Sequence, residues 1–304
     1  MKDNKWLIYS MALMAMIFWG IAFVWTKVVF EFYQPQTIML IRLGVSAALM
    51  YVIIRIRKQT IRIDREDYNR FLILSFFSPF CYFLGENYGL LYVTPTVASI
   101  VIATIPVFAP ILGFLAFREK LSKINIMGFV VGFSGVAVMV LDHEFRFSAS
   151  PLGVGLLLLA VFAALINMVY LKKLAVKYSP LHIIFIQNLI GAFLFLPLFL
   201  VFDLRDFVSI RPSAEAIFSL LALAVFGSTL AYIFYTAAVR SLGIARTSIF
   251  GNLIPVVAAI SSLIILKESI DASKIAGMVL VIGGLLMTQA SAISTKRRLR
   301  KQQQ

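Results

Sequence analysis

Residues 82–140, YFLGENYGLLYVTPTVASIVIATIPVFAPILGFLAFREKLSKINIMGFVVGFSGVAVMV, recur without a gap 149 positions further along the chain. Ser99-Ile100 returns as Ser248-Ile249, Ile105-Pro106-Val107 as Ile254-Pro255-Val256, Ala109 as Ala258, Ile111 as Ile260 and Glu119 as Glu268. Ile126, Gly128, Val130 and Gly135 return as Ile275, Gly277, Val279 and Gly284. Shared Ile and Val follow from composition alone. A proline, a glutamate closing a long apolar run and two glycines in one register do not, so the chain reads as a duplicated unit.

Hydrophobic residues make up 61% of the 304 and charged residues only 14%, against about 25% charged in soluble domains. Such a chain is expected to be a polytopic membrane protein. Ten windows approach the roughly 20 apolar residues that a span requires: 7–29, 36–54, 71–93, 95–117, 124–141, 152–171, 181–202, 215–239, 244–266 and 273–293. The expectation is therefore an all-α fold of ten transmembrane helices in two five-helix repeats, residues 1–145 and 146–304. The first window is too long for the apolar core of a signal peptide, lacks a small-residue cleavage site and contains Trp19 and Trp25, so it reads as a retained helix.

Placing the N-terminus inside puts 21 of the 28 basic residues on inner segments, five on outer loops and two, Lys27 and Arg42, within helices. That asymmetry is what the positive-inside rule requires, and it sets both termini in the cytoplasm of an inner-membrane protein. Five helices per half also make the second repeat enter the membrane from the opposite side. Inverted repeats are a recurrent plan of secondary transporters. The tail KRRLRKQQQ reads as an orientation anchor attracted to anionic lipid headgroups, not as a nucleic-acid patch.

These features resemble the drug/metabolite transporter superfamily, and within it the bacterial EamA-type permeases. The matching residues are Phe18-Trp19-Gly20 with Phe23 and Lys27, the run from Thr96 to Pro106, Arg118-Glu119-Lys120-Leu121 and the Gly128/Gly132/Gly135 helix. Ile254-Pro255, Lys267-Glu268, Gly277 and Gly283-Gly284 match in the second half. The resemblance implies a ten-helix carrier, mostly exporting amino acids and other small metabolites.

Glu86 is the only acidic residue well inside an expected helix, and Arg42 lies at similar depth. Ionisable groups there are costly and face a cavity or a partner. Three readings compete: a structural ion pair, a substrate site in which Arg42 holds a carboxylate and Glu86 an ammonium, and a proton-carrying Glu86. The second-half counterparts are uncharged, since Tyr235 matches Glu86 and Gln187 matches Arg42 through the Pro35/Pro180 alignment. Trp19, Tyr82, Asn87, Asn167, Tyr170, Gln187, Tyr232, Tyr235 and Asn252 complete an expected wet cavity with aromatic walls, suited to a small polar solute. Pro106 and Pro255 are expected mid-helix, each bending its helix by releasing the carbonyl four residues back, on Ile102 or Gly251. Gly128, Gly132, Gly135, Gly277 and Gly284 have the small-residue spacing of close helix packing, within the bundle or between two copies.

Two histidines and the single cysteine, Cys81, offer no metal cluster. No GxxxxGK[ST] run is present to cradle ATP, and no nucleophile–base pair marks an intramembrane enzyme. No cofactor is expected. The reading is a secondary carrier exporting amino acids or related metabolites by alternating access. A carrier for nucleotide sugars or drugs, and a non-transporting scaffold, stand as rivals.

Overall fold

A computed structural model describes residues 5–108, 111, 122–141, 149–242 and 247–302. Among them the chain is helical throughout: α1 (Lys5–Val29), α2 (Pro35–Ile56), α3 (Tyr68–Ser75), α4 (Tyr82–Tyr92), α5 (Pro95–Ile102), α6 (Lys123–Val140) and α7 (Pro151–Leu174), followed by α8 (Pro180–Leu198), α9 (Leu204–Ser209), α10 (Ala214–Ala222), α11 (Ala231–Leu242), α12 (Leu253–Ile265) and α13 (Ala272–Gln302). Among the described residues seven helical stretches are long and apolar enough to cross a membrane, two of which, Pro180–Ser209 (α8 to α9) and Ala214–Val239 (α10 into α11), run through wide turns, and Pro95–Phe108 and Phe250–Ile265 are shorter apolar ones. The windows 95–117 and 244–266 both run into residues outside the described set. The window 71–93 falls on α3 and α4, which are one helix interrupted at Ser78, where φ −147° and ψ 123° leave the helical region.

Helix starts are written locally. Thr94-Pro95, Ser150-Pro151 and Ser179-Pro180 each place a hydroxyl at the N-cap and a proline in the first turn. The hydroxyl accepts an N–H that would otherwise be orphaned, and proline has no N–H there to lose. α2 begins Pro35-Gln36-Thr37 without a local cap. Its first turn is met instead by Asp203 from beyond α8: Gln36 Nε2 donates to Asp203 Oδ1 at 2.6 Å, and Thr37 Oγ1 donates to Oδ2.

Lipid offers no hydrophobic force to press helices together, so contact rests on close approach of small residues. A Cβ on Gly128 would stand 2.7 Å from Gly284 O, and one on Gly135 would stand 2.7 Å from Gly277 O. Pairing 128 with 284 and 135 with 277 makes α6 and α13 antiparallel. Under the 149-residue offset, Gly128 corresponds to Gly277 and Gly135 to Gly284. Each glycine therefore touches the counterpart of the other, as a two-fold axis demands. The two repeats are inverted and meet on themselves. The same exchange recurs elsewhere, with α2 on α8, α1 on α11 and α4 on α7.

Polar ties close both ends of the bundle. At one end Asp67 accepts from Arg70, Lys177 and Tyr178 at 2.6, 2.8 and 2.8 Å, and these bonds, led by that from Lys177, hold its carboxyl down at about 2. At the other, Glu268 accepts from Thr96 at 2.9 Å and Ser262 at 2.5 Å and pairs with Lys274 at 3.2 Å. Burial pushes the Glu268 carboxyl up, but its hydrogen bonds, Ser262 first, outweigh that and leave it below the usual range.

Gly284→Ala is expected to force α6 and α13 apart. Overpacking of this kind costs about 1–3 kcal/mol and should lower the thermal midpoint in detergent by several degrees. Gly283→Ala, with no heavy atom within 4 Å of the new Cβ, should leave the midpoint unchanged. Equal effects would contradict the pairing.

Candidate functional site

The helix breaks decide where polar groups collect. α5 stops at Ile102, and Ala103-Thr104 turn before helix resumes, with Val107 N donating to Thr104 O at 2.8 Å. In the second repeat the tight turn Ser248–Asn252 gives way to α12 at Leu253. Pro106 and Pro255 are thus not mid-helix bends. The chain breaks one turn earlier, and each proline sits in the first turn of the segment that follows, where its missing N–H costs nothing. Irregular backbone at membrane depth is tolerated where it is buried in protein or lines a cavity. Ile102, Ala103, Ile105 and Pro106 line one, and Gly251 and Ile254 line it from the other repeat.

That cavity has a volume of about 290 Å³. α1 supplies Met16, Trp19, Ala22, Phe23 and Thr26; α2 supplies Arg42; α4 supplies Tyr82, Phe83, Glu86, Asn87 and Leu90; α11 supplies Tyr232 and Tyr235; α13 supplies Leu285. Trp19 lies 5.2 Å from both Tyr232 and Tyr235, ring centre to ring centre, which makes one aromatic wall. Tyr82 Oη donates to Glu86 Oε1 at 2.7 Å. Asn87 turns its amide back, donating to Phe83 O at 2.8 Å.

Arg42 and Glu86 both line the cavity, yet no ion pair within 4.0 Å joins them. Of the three competing readings, the direct Arg42–Glu86 ion pair is therefore not formed in this structure. Arg42 Nε donates instead to Ser228 Oγ at 2.5 Å, and its guanidinium carbon lies 4.8 Å from the Phe83 ring centre.

Four other expected cavity residues lie off its wall. Asn167 Nδ2 donates to Leu74 O at 2.9 Å and Ser78 O at 3.3 Å, and Gln187 Nε2 donates to Ser78 O at 2.8 Å. Both amides are spent on the broken turn between α3 and α4, where both donate to Ser78 O. Tyr170 packs with Ile183 and Ile186 near the end of α7. Asn252 sits at the turn before α12, beside lining Gly251, and its buried Oδ1 has no hydrogen-bond partner.

The second repeat departs from α-helix at the matching place without leaving helical angles, in a wide-turned stretch from Leu223 to Leu230 that joins α10 to α11. Gly227 is the 149-residue counterpart of Ser78, and its carbonyl accepts from Trp19 Nε1 at 3.1 Å. Each repeat's broken third helix is thus met by side chains from the first and second helices of the other. Asn167 and Gln187 reach Ser78; Trp19 reaches Gly227 and Arg42 reaches Ser228. Sequence reasoning missed Ser228, Phe83, Thr26 and the apolar lining. The run Gly227-Ser228-Thr229 and Pro79 inside apolar windows were the available signals.

The EamA-like transporter family matches residues 6–141 and again residues 151–289. An uncharacterized transporter of Archaeoglobus fulgidus is 28% identical over 282 residues, covering 93% of this chain and 97% of its own length. YvbV of Bacillus subtilis, also named an uncharacterized transporter, is 25% identical over 94% of this chain and 90% of its own. A protein of Rickettsia prowazekii named an S-adenosylmethionine uptake transporter is 30% identical over 66% of this chain and 65% of its own. One solved crystal structure shares the fold with a TM-score of 0.66 at 17% identity, over 92% of this chain and 97% of that one.

Leucine at Asn167 or Gln187 removes one of two donors from Ser78 O, an expected loss of about 0.5–1.5 kcal/mol each. The double variant should lose more than the sum, because each single variant still leaves the carbonyl one donor. Thermal unfolding of the three variants in detergent checks this.

Proposed function

This chain belongs to the EamA-like transporter family, and from that premise we propose that it is a secondary carrier exporting amino acids or closely related zwitterionic metabolites. Its transport needs no ATP and proceeds by alternating access through the cavity between the repeats. The observation that carries the reading is the pair Arg42 and Glu86, opposite charges lining one cavity without pairing to each other. A buried charge needs a partner, and a bound α-amino acid supplies both. Its carboxylate meets the free edge of the Arg42 guanidinium, and its ammonium meets Glu86. Trp19, Tyr232 and Tyr235 give an apolar wall for the side chain.

Glu86 cannot hold a proton and an ammonium at once. Competition between the two for this carboxylate couples outward flux to inward proton movement. The interrupted fourth helix of each repeat lies against the cavity, and discontinuous helices at the repeat interface are where inverted-repeat carriers build their sites. The cytoplasm holds both termini in this orientation, with the basic connections on the inner face of the cell membrane.

A second reading is uptake of a larger solute that carries the same amino-acid head. It is favoured by the Rickettsia prowazekii relative, named for uptake of S-adenosylmethionine. That compound presents an ammonium and a carboxylate in the same arrangement, so the charge logic is shared and the direction differs.

The test is the external metabolite profile of cells expressing the native chain, beside Glu86→Gln at equal membrane abundance. Export predicts a small set of amino acids accumulating outside native cells. The variant should lower this by about tenfold or more, the size of one charge-assisted hydrogen bond. Depletion of a zwitterion from the medium favours the uptake reading. Equal export by both strains removes Glu86 from the site, and no change in either strain contradicts transport of this class.

A further inference from the structure

Two opposite charges in one low-dielectric cavity attract strongly, so their separation has to be maintained by other contacts. Arg42 is tied down on two sides. Its Nε donates to Ser228 Oγ at 2.5 Å, and its guanidinium lies 4.8 Å from the centre of the Phe83 ring. Ser228 is itself fixed. Its carbonyl accepts from Ser46 Oγ at 3.0 Å, and Ser46 Oγ accepts from Asn188 and Thr229, each at 2.9 Å. All four of these polar residues are buried, with Ser46 and Ser228 at 0% and 1% exposure. Glu86 is held on its own side of the cavity by Tyr82.

We propose that Ser228 and Phe83 are positioning residues that hold the Arg42 guanidinium off Glu86, keeping both charges open for a ligand. The geometry gives each a separate task. Ser228 takes the inner N–H of the guanidinium and leaves its outer edge free. The negative face of the Phe83 ring offers the cation a neutral resting place. Without the Ser228 hydroxyl, a buried guanidinium N–H has lost its acceptor, and the facing Glu86 carboxylate replaces it. The site then neutralises itself. The wide turn at Leu223–Leu230 is what brings Ser228 to this position, so the break in the second repeat serves the charge in the first. The identity of the ligand rests on the carrier reading above; the restraint on Arg42 does not.

The experiment therefore begins without a ligand. Thermal midpoints in detergent are measured for Arg42→Gln, Glu86→Gln and the double variant, once on the native chain and once on Ser228→Ala. On the native chain the two shifts should fail to add only by what attraction across the cavity supplies. On Ser228→Ala the departure from additivity should grow by at least about 3 °C, the signature of a newly formed pair. Ser228→Thr keeps the hydroxyl and should behave as the native chain does. If Ser228→Ala does not yield monodisperse protein, Phe83→Leu carries the same comparison. Coupling that is no larger after either substitution than in the native chain overturns the proposal. With the solute identified by the metabolite profile, Ser228→Ala should raise its KM about tenfold and Ser228→Thr should restore it. Coupling without a flux defect would instead take the Arg42 and Glu86 charges out of the substrate site and leave the restraint standing.

Discussion

In hydrocarbon every backbone N–H and C=O must find its partner inside the protein. That constraint shapes this molecule more than any other. The chain departs from regular helix at Ser78, at Ala103-Thr104, along Leu223–Leu230 and along Ser248–Asn252, and these four places correspond in pairs across the duplication. None faces lipid unsupported. The third-helix breaks are met by side chains from the opposite repeat, and the fourth-helix breaks lie against the cavity. The repeats are consequently not two domains placed side by side. Each completes the hydrogen bonding of the other.

The symmetry of the backbone sets off an asymmetry of chemistry. Asn167 and Gln187 serve the first repeat's break, while Trp19 and Arg42 serve the second's. The first and second helices of one repeat bring neutral amides to this task, and those of the other bring an aromatic ring and a cation. The amides turn away from the cavity and are consumed by Ser78. The ring and the cation also line the cavity, so what only caps in one half also forms cavity wall in the other.

Much of this could be read from the sequence. The apolar windows gave the class, the 149-residue register gave the inversion, and the glycines that meet across α6 and α13 were visible as a spacing. The cost of charge in a membrane singled out Arg42 and Glu86 without any structure. Other parts were hidden for physical reasons. An amide in an apolar helix looks the same whether it faces a solute or a stranded carbonyl, which is why Asn167 and Gln187 were expected at the cavity. Proline marks a break but not its location, so Pro106 and Pro255 suggested bends one turn away from where the chain yields. Ser228 is a small hydroxyl among apolar neighbours, and its value depends entirely on a partner 186 positions away.

The central claim is a cavity between inverted repeats that opens in turn to each side of the membrane. Its most direct test is reaction of a cysteine placed in the cavity with a membrane-impermeant maleimide. The native free cysteine, Cys81, is first removed as Cys81→Ser. Ala22→Cys then reports on the cavity wall, and Val130→Cys, on the bare outer face of α6, reports on lipid. Right-side-out and inside-out vesicles are labelled in parallel. Two-sided access predicts that Ala22→Cys reacts in both orientations and Val130→Cys in neither. Labelling of Ala22→Cys from one side alone would contradict it.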